Sequence, residues 1–172
     1  VLLLVAAVEV WLLSRPTGGT LTEQDTIVLA DFENATNDRV FDGALKVALS
    51  VALEQSPFMK VFPDQRMRET LRLMGRAPDT VVTRDLAREI ARREQLKALL
   101  SGSIASLGSQ CVIALEAVNA ETGDVMAREQ VQAASKEDVL TALGGAASRL
   151  RRQLGVLPRA QLEQQREAVV QD

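Results

Sequence analysis

The pattern of hydrophobic and polar positions changes its period several times along the chain. "TIVLADF" is a nearly continuous β-branched and aliphatic run, which is typical of a strand buried on both faces. After the polar turn "ENATNDR", apolar residues recur on one helical face. That face consists of Phe41, Leu45, Ala48, Leu49, Ala52 and Leu53. The pattern therefore predicts a central strand followed by a helix that packs against it.

The pattern in the middle of the chain predicts one further strand and two more helices. "FMKVF" is a short apolar run that ends at Pro63, and the helix after it ends at Gly75. Thr83 is placed to cap the next helix, which has an apolar stripe for the core. The stripe consists of Leu86, Ala87, Ile90 and Ala91. Up to this point the predicted order is strand, helix, strand, helix, helix.

Three strands follow in succession: "KALLSGSIAS", "QCVIALEAVNA" and "DVMAREQVQ". The turn signals "SLGS" and "AETGD" separate them, so we expect an antiparallel meander with its last strand near an edge of the sheet. A long helix after Ser135 then covers one face of the sheet. The sequence thus predicts an α/β fold, a mixed sheet of about five strands with packed helices, in the order β-α-β-α-α-β-β-β-α.

The amino-terminal run from Val1 to Leu13 is apolar except for Glu9. It would cover only about 20 Å of a roughly 30 Å hydrocarbon core, so we interpret residues 1–14 as the carboxy-terminal part of a truncated transmembrane helix. A signal-peptide core and a buried core segment are the alternatives, although no A-x-A cleavage pattern follows. Residues 15–25 are then a linker, residues 26–155 the α/β domain, and residues 156–172 a polar helical connector.

Composition excludes several kinds of chemistry. The 172 residues suit one domain, and the chain has no histidine, which removes His-based triads and His-containing zinc sites. The single cysteine, Cys111, cannot form an internal disulfide. A formal net charge of −3 gives no whole-chain reason to expect nucleic acid as a partner. The residues therefore predict no enzyme, no cofactor and no metal.

Polar residues just after the first strand are the first candidate for a ligand site, because α/β folds place sites there. Asp31, Glu33, Asn34 and Asp38 could offer oxygen ligands to magnesium or calcium. They lack the spacing of a calcium loop, and turn and cap formation already accounts for them. "DFE" lacks the glycine of the kinase DFG motif, and "SGS" lies inside a strand, where close packing is the better interpretation.

Arginines provide the second candidate. Arg84, Arg88 and Arg92 recur every four residues and form a basic stripe that could meet phosphates or an acidic partner. Interleaved acidic residues offer local ion pairs, such as Glu89 with Arg93, so a solvated and salt-bridged face is the favoured alternative. We treat the three arginines as a candidate interaction face.

Several phrases resemble a known family. "TIVLADFENATND", "LARE" and "ALLSGSIASLGSQCVIALEAVNAETGDVMAREQ" resemble the domain between the transmembrane helix and the tetratricopeptide (TPR) repeats of bacterial eukaryotic-like serine/threonine protein kinases. More distantly, "DFxN", "GS" and "TG" are similar to the TolB amino-terminal domain and the CsgG-like group. The positions that match these signatures look structural, and none is catalytic in those families. They are Asp31, Phe32, Asn34, Gly102, Ser103, Thr122 and Gly123.

The resemblance implies a non-catalytic sensing or protein-interaction domain of a membrane-anchored signalling protein. It would lie on the extracytoplasmic side, behind a single membrane span, in a receptor-like serine/threonine kinase with the kinase domain upstream and TPR repeats downstream. A protein or peptide partner is expected, and nucleic acid is not. The alternative is an envelope assembly or transport interaction module unrelated to a kinase.

Overall fold

A six-stranded mixed sheet forms the centre of the computed structural model, which describes residues 21–22, 25–55 and 59–155. The strands are β1 (Thr26–Leu29), β2 (Glu33–Ala35), β3 (Lys60–Val61), β4 (Ala98–Leu107), β5 (Gln110–Asn119) and β6 (Val125–Ala133). The helices are α1 (Ala44–Glu54), α2 (Asp64–Leu73), α3 (Arg84–Arg93) and α4 (Val139–Gln153). A single 3-10 turn, Arg39–Phe41, precedes α1.

The strand order is β3-β1-β4-β5-β6, with β2 paired to β4 beyond the end of β1. β1 runs parallel to both β3 and β4, whereas β4, β5 and β6 form an antiparallel meander. The mixed α/β class is confirmed, and β6 lies at an edge of the sheet. The central position of β1 also agrees with its continuous apolar run.

The predicted strand count of about five is too low, because β2 adds a sixth strand. Leu29 pairs with Leu100, and Glu33 pairs with Ser103. An advance of four residues from β1 to β2 therefore opposes an advance of three residues along β4. The extra residue separates β1 from β2, as a β-bulge does. The segment after the bulge, "ENA", is short and polar, so it carries no hydrophobic signal of a strand.

Helices cover the sheet on both faces. α1 and α4 pack on one face and α2 and α3 on the other, and each pair has its own hydrophobic cluster. Ile27 and Leu29 of β1 point into the first cluster, while Val28 and Ala30, the residue just after the strand, point into the second. This alternation explains why a central strand has apolar residues at successive positions.

Local signals place the helix ends in most cases. The Thr83 hydroxyl oxygen accepts a hydrogen bond from the Leu86 N–H at 3.3 Å, so the predicted cap of α3 forms. Gly75 follows α2 with a φ of +72°, which a glycine adopts without strain. Before α4 the N-cap position belongs to Asp138 and not to Ser135, whose hydroxyl donates to the Asp138 carboxylate at 2.7 Å.

The predicted membrane segment, residues 1–14, lies outside the described residues. So do the connector, residues 156–172, and most of the linker. Within the described ranges, no helix combines the length and the apolar character needed to cross a membrane.

Candidate functional site

Asp31 follows β1 directly and joins three parts of the fold. Its Oδ1 accepts a hydrogen bond from the Lys46 ammonium of α1 at 2.7 Å. Its Oδ2 accepts from the Val82 N–H at 2.7 Å, and its own N–H donates to the Val82 carbonyl at 2.8 Å. Both carboxylate oxygens are thus used inside the chain. Asp31 connects β1 to α1 and to the segment that leads into α3.

Phe32 and Gly102 meet at the bulge between β1 and β2. A Cβ built on Gly102 would lie 2.5 Å from the Cε1 and Cζ atoms of the Phe32 ring. The ring therefore lies directly over the β4 backbone, where only a glycine leaves space for it. Ser103, the next residue, pairs with Glu33 of β2. The "SGS" phrase is thus a place of close packing within the sheet.

Asn34 organises the turn that follows. Its Oδ1 accepts from both the N–H and the hydroxyl of Thr36, at 3.0 and 2.6 Å. Its Nδ2 donates to the Asp38 carbonyl at 2.9 Å and to the Asp42 carboxylate at 2.8 Å. All four bonding positions of the amide are used, so the side chain holds the chain between β2 and α1.

Asp38 caps the 3-10 turn and also forms an ion pair with Lys136, which lies just before α4. The hydrogen bond from Lys136, followed by that from the Val40 N–H, lowers the pKa of Asp38 below its ordinary value. The same bond raises the pKa of Lys136. The pair connects the 3-10 turn before α1 to the segment that leads into α4.

These acidic residues do not gather around a common point. Asp31 is bound to Lys46 and Val82, and Asn34 is bound within its own turn. Within the ranges that the structure describes, no three His, Cys, Asp or Glu side chains are placed to share a metal ion. Of the oxygen ligands considered for magnesium or calcium, those of Asp31, Asn34 and Asp38 form structural bonds instead.

Thr122 and Gly123 lie in the turn between β5 and β6. The Asn119 side-chain oxygen accepts from the N–H groups of Glu121 and Thr122, at 2.9 and 3.0 Å. Gly123 has a φ of +82°, and a Cβ there would lie 3.0 Å from the Arg88 guanidinium. The glycine is needed both for the turn and for the close approach of that side chain.

The candidate arginine face of α3 lies against this turn and the adjoining strand. Arg88 donates to the carbonyls of Ala120 and Glu121, at 2.9 and 2.8 Å. Arg84 pairs with Glu116 of β5 at 2.5 Å, and Arg92 lies 3.8 Å from the Glu121 carboxylate. The three side chains hold α3 on the sheet.

The bonds within the chain do not use up this face. The side chains of Arg84 and Arg92 are 47% and 57% exposed, and the predicted pair of Glu89 with Arg93 is present at 3.4 Å. A partner that binds here would compete with the carboxylates already in place. The interaction role of Arg84, Arg88 and Arg92 stays a prediction.

The edge of the sheet at β3 is a surface that the sequence analysis missed. Two grooves border it, one on the α1 side of the sheet and one on the side of α2 and α3, and they join at Glu54, Val61, Phe62 and Pro63. One, of about 240 Å³, lies beneath α1 and is lined by Val47, Val51, Val61 and Pro63. The other, of about 570 Å³, is bounded by Lys60, Arg66, Glu94 and Leu96. The sequence signal was present in the two-residue strand cut short by Pro63, since a proline is tolerated near sheet edges.

The fold is shared with solved structures of low sequence identity. No protein-family model matches the sequence, and no curated protein is significantly similar to it. The LpoB C-terminal domain from Salmonella enterica matches with a TM-score of 0.60 and 18% identity, over 72% of this chain and 91% of that domain. The PelC dodecamer from Paraburkholderia phytofirmans matches with a TM-score of 0.54 and 15% identity, over 82% of this chain and 95% of the PelC chain. Lipoprotein GNA1162 from Neisseria meningitidis matches with a TM-score of 0.53 and 15% identity, over 72% of this chain and 94% of the lipoprotein chain.

These structures contradict the family resemblance read from the sequence. None of them is a kinase-associated domain, so the prediction of a sensing domain in a receptor-like kinase, followed by TPR repeats, is wrong. The more distant likeness to TolB rests on a match with a TM-score of 0.47 and 9% identity, which is too weak to carry an argument. The phrases behind the resemblance consist of residues that form turns and strand contacts, and this fold needs such contacts whatever it does.

The same structures bear on catalysis. They are a domain of LpoB, PelC and a lipoprotein, and none is named as an enzyme. These names agree with the prediction that this chain is not an enzyme.

Proposed function

We propose that this chain is a non-catalytic protein-interaction module of the bacterial cell envelope, used in envelope assembly or transport. The observation that carries the proposal is the shared fold, which covers 91% of the LpoB domain and 94% of lipoprotein GNA1162. A lipoprotein is held at a membrane surface, and the proposal gives this chain the same surroundings. Fold likeness alone does not transfer function, so the proposal needs a direct test.

The internal bonds of the domain support a scaffold role. The seven signature residues each make a turn, a strand contact or a bond between elements, which leaves the outer surface as the part available to a partner. The single cysteine, Cys111, is buried and free, which is compatible with the cytoplasm and with an extracytoplasmic compartment alike.

The division of the chain completes the proposal. Residues 1–14 would attach the protein to the membrane, residues 15–25 would act as a linker, and residues 26–155 would form the interaction domain. Residues 156–172 would form a polar helical connector on the carboxy-terminal side of the domain. A protein partner is expected on the domain, at the arginine face or at the edge of the sheet.

The compartment can be tested with two matched fusions after Gly155 in the full chain, one to alkaline phosphatase and one to a green fluorescent protein. Alkaline phosphatase needs disulfides, so it is active only in an oxidising compartment. The proposal predicts an active phosphatase fusion and a dark fluorescent fusion. A bright fluorescent fusion with an inactive phosphatase would place the domain in the cytoplasm and refute the proposal.

A further inference from the structure

The outer edge of β3 carries backbone groups that the sheet does not use. β3 pairs with β1 on one side, where the Phe62 N–H donates to the Ile27 carbonyl at 2.8 Å. Backbone groups alternate in direction along a strand, so the N–H and C=O of Val61 point away from β1. Among the described residues, the N–H of Val61 donates no backbone hydrogen bond to a loop, a turn or a cap.

α1 extends beyond the sheet at this edge. Val47 and Val51 are 65% and 53% exposed, and they line the smaller groove together with Val61 and Pro63. A helix that packs on a sheet normally buries such side chains against the next strand. Within the described part of the chain the sheet ends at β3, so the valines have no strand to cover. One more strand beside β3 would fill the groove and bury them.

The groove on the other face has a different chemistry. Arg66 and Glu94 form an ion pair across it at 2.8 Å, and Glu94 also accepts a hydrogen bond from the Thr70 hydroxyl at 2.7 Å. Lys60 lies at the same edge, and no carboxylate of the described residues lies within 4 Å of it. An acidic side chain of a partner would be attracted to the Lys60 ammonium at this edge.

The opposite edge of the sheet is less available. At β6 the Gln153 side-chain oxygen of α4 accepts a hydrogen bond from the Arg128 N–H at 3.3 Å. Arg149 and Gln153 both bind Glu129 of the same strand. The end of α4 therefore protects the β6 edge, which is a common defence against strand addition.

We propose that the edge of β3 is a docking site for an extended segment of a protein partner, which adds to the sheet as a further strand. Small branched apolar side chains of the segment enter the groove lined by Val47 and Val51, and an acidic side chain on its other face reaches Lys60. Strand addition places alternate side chains in opposite pockets, as the two grooves require. The inference deepens the proposed function and rests on it.

A photo-crosslinking residue at position 51 of the full chain, in its own envelope, tests the site. We expect a discrete adduct with a protein other than this chain. Val61→Pro should abolish the adduct, because it removes the outward N–H without touching a bond to β1. Val61→Ala, which keeps the N–H, should retain it. The same crosslinker at Val81, which is 66% exposed in the loop between α2 and α3 and lines neither groove, is the control position.

The outcomes separate this inference from the proposed function. An adduct at position 51 that survives Val61→Pro, or one formed with a second copy of this chain, would refute docking at the edge. Adducts at position 81 without any at position 51 would also refute it, while an interaction module would still stand. No adduct from either position in an intact envelope would count against both.

A synthetic peptide tests the chemistry of the segment directly. The probe is fluorescein-labelled Thr-Val-Thr-Val-Asp-Val-Thr-Val-Thr, and its binding to the full chain is followed by anisotropy. Val51→Glu should weaken binding by about tenfold or more, and so should replacement of the peptide's aspartate by lysine. Lys60→Glu should restore binding of the lysine peptide. No saturable binding at about 1 mM peptide, or no effect of the charge exchange, would refute the inference.

Discussion

Gly102 and Gly144 should respond in opposite directions to the same substitution. In Gly102→Ala the new Cβ would lie 2.5 Å from two carbons of the Phe32 ring. Non-bonded carbons prefer about 3.5–4.0 Å, so the ring or β4 has to move by about 1 Å. Forcing an extra methyl group into a packed site costs about 1–3 kcal/mol. We expect a loss in the middle of that range, because the half-buried ring can give way in part.

Gly144 lies in α4, and apart from its chain neighbours and the backbone of its own helix no atom comes within 4 Å of a Cβ built there. Alanine has a higher helix propensity than glycine and restricts the unfolded chain more. Gly144→Ala should therefore raise the free energy of unfolding by about 0.5–1 kcal/mol.

Urea unfolding of the purified protein, followed by far-UV circular dichroism, measures both changes. The reasoning also predicts that Gly102→Ala costs less in a Phe32→Ala background, with a coupling of about 1 kcal/mol or more. Equal costs in both backgrounds would show that the ring is not the obstacle. A stable Gly102→Ala protein would refute the contact itself.

Two further predictions concern ionised groups. Asp31→Ala should lower the free energy of unfolding by about 2 kcal/mol, because the buried Val82 N–H loses its acceptor. Asp79 is exposed, so Asp79→Ala should change the free energy of unfolding by less than about 0.5 kcal/mol in the same urea assay. Equal effects of the two substitutions would refute the bond between Asp31 and Val82. The pair of Asp38 with Lys136 should make the stability of the fold depend on pH. Because the pKa of Asp38 is lowered in the folded protein, the pair stabilises the fold at pH values above 3.8, the ordinary pKa of an aspartate. This contribution disappears as the pH falls through the lowered pKa. Lys136→Gln should flatten the loss of stability below about pH 4, and an unchanged acid profile would contradict it.

Hydrophobic period was enough to predict most of the fold. The continuous run of β1 indicates burial on both faces, and the two clusters bury its alternate residues. The meander follows from alternation and turn residues. β2 could not be found in this way, because "ENA" has no apolar pattern and pairs only because the chain re-enters register with β4 after the bulge.

The site was harder to predict for a different reason. The spacing of Arg84, Arg88 and Arg92 places them on one helical face, but their partners lie about 30 residues further along the chain, within β5 and in the turn after it. Such long-range contacts carry no local signal. The open edge at β3 depends on strand order, which the sequence did not reveal. The signature residues form turns and contacts that the fold requires, and so they could not distinguish a kinase-associated domain from an envelope module.

The most direct test of the central claim is amine-reactive crosslinking of the full chain in its intact native envelope, with mass spectrometry of the products. The claim predicts a distinct envelope protein joined to a lysine of the folded domain, and loss of that product when the envelope is dissolved and the protein is diluted. If the chain is recovered without any joined protein, or is found in the cytoplasmic fraction, it is not an envelope interaction module.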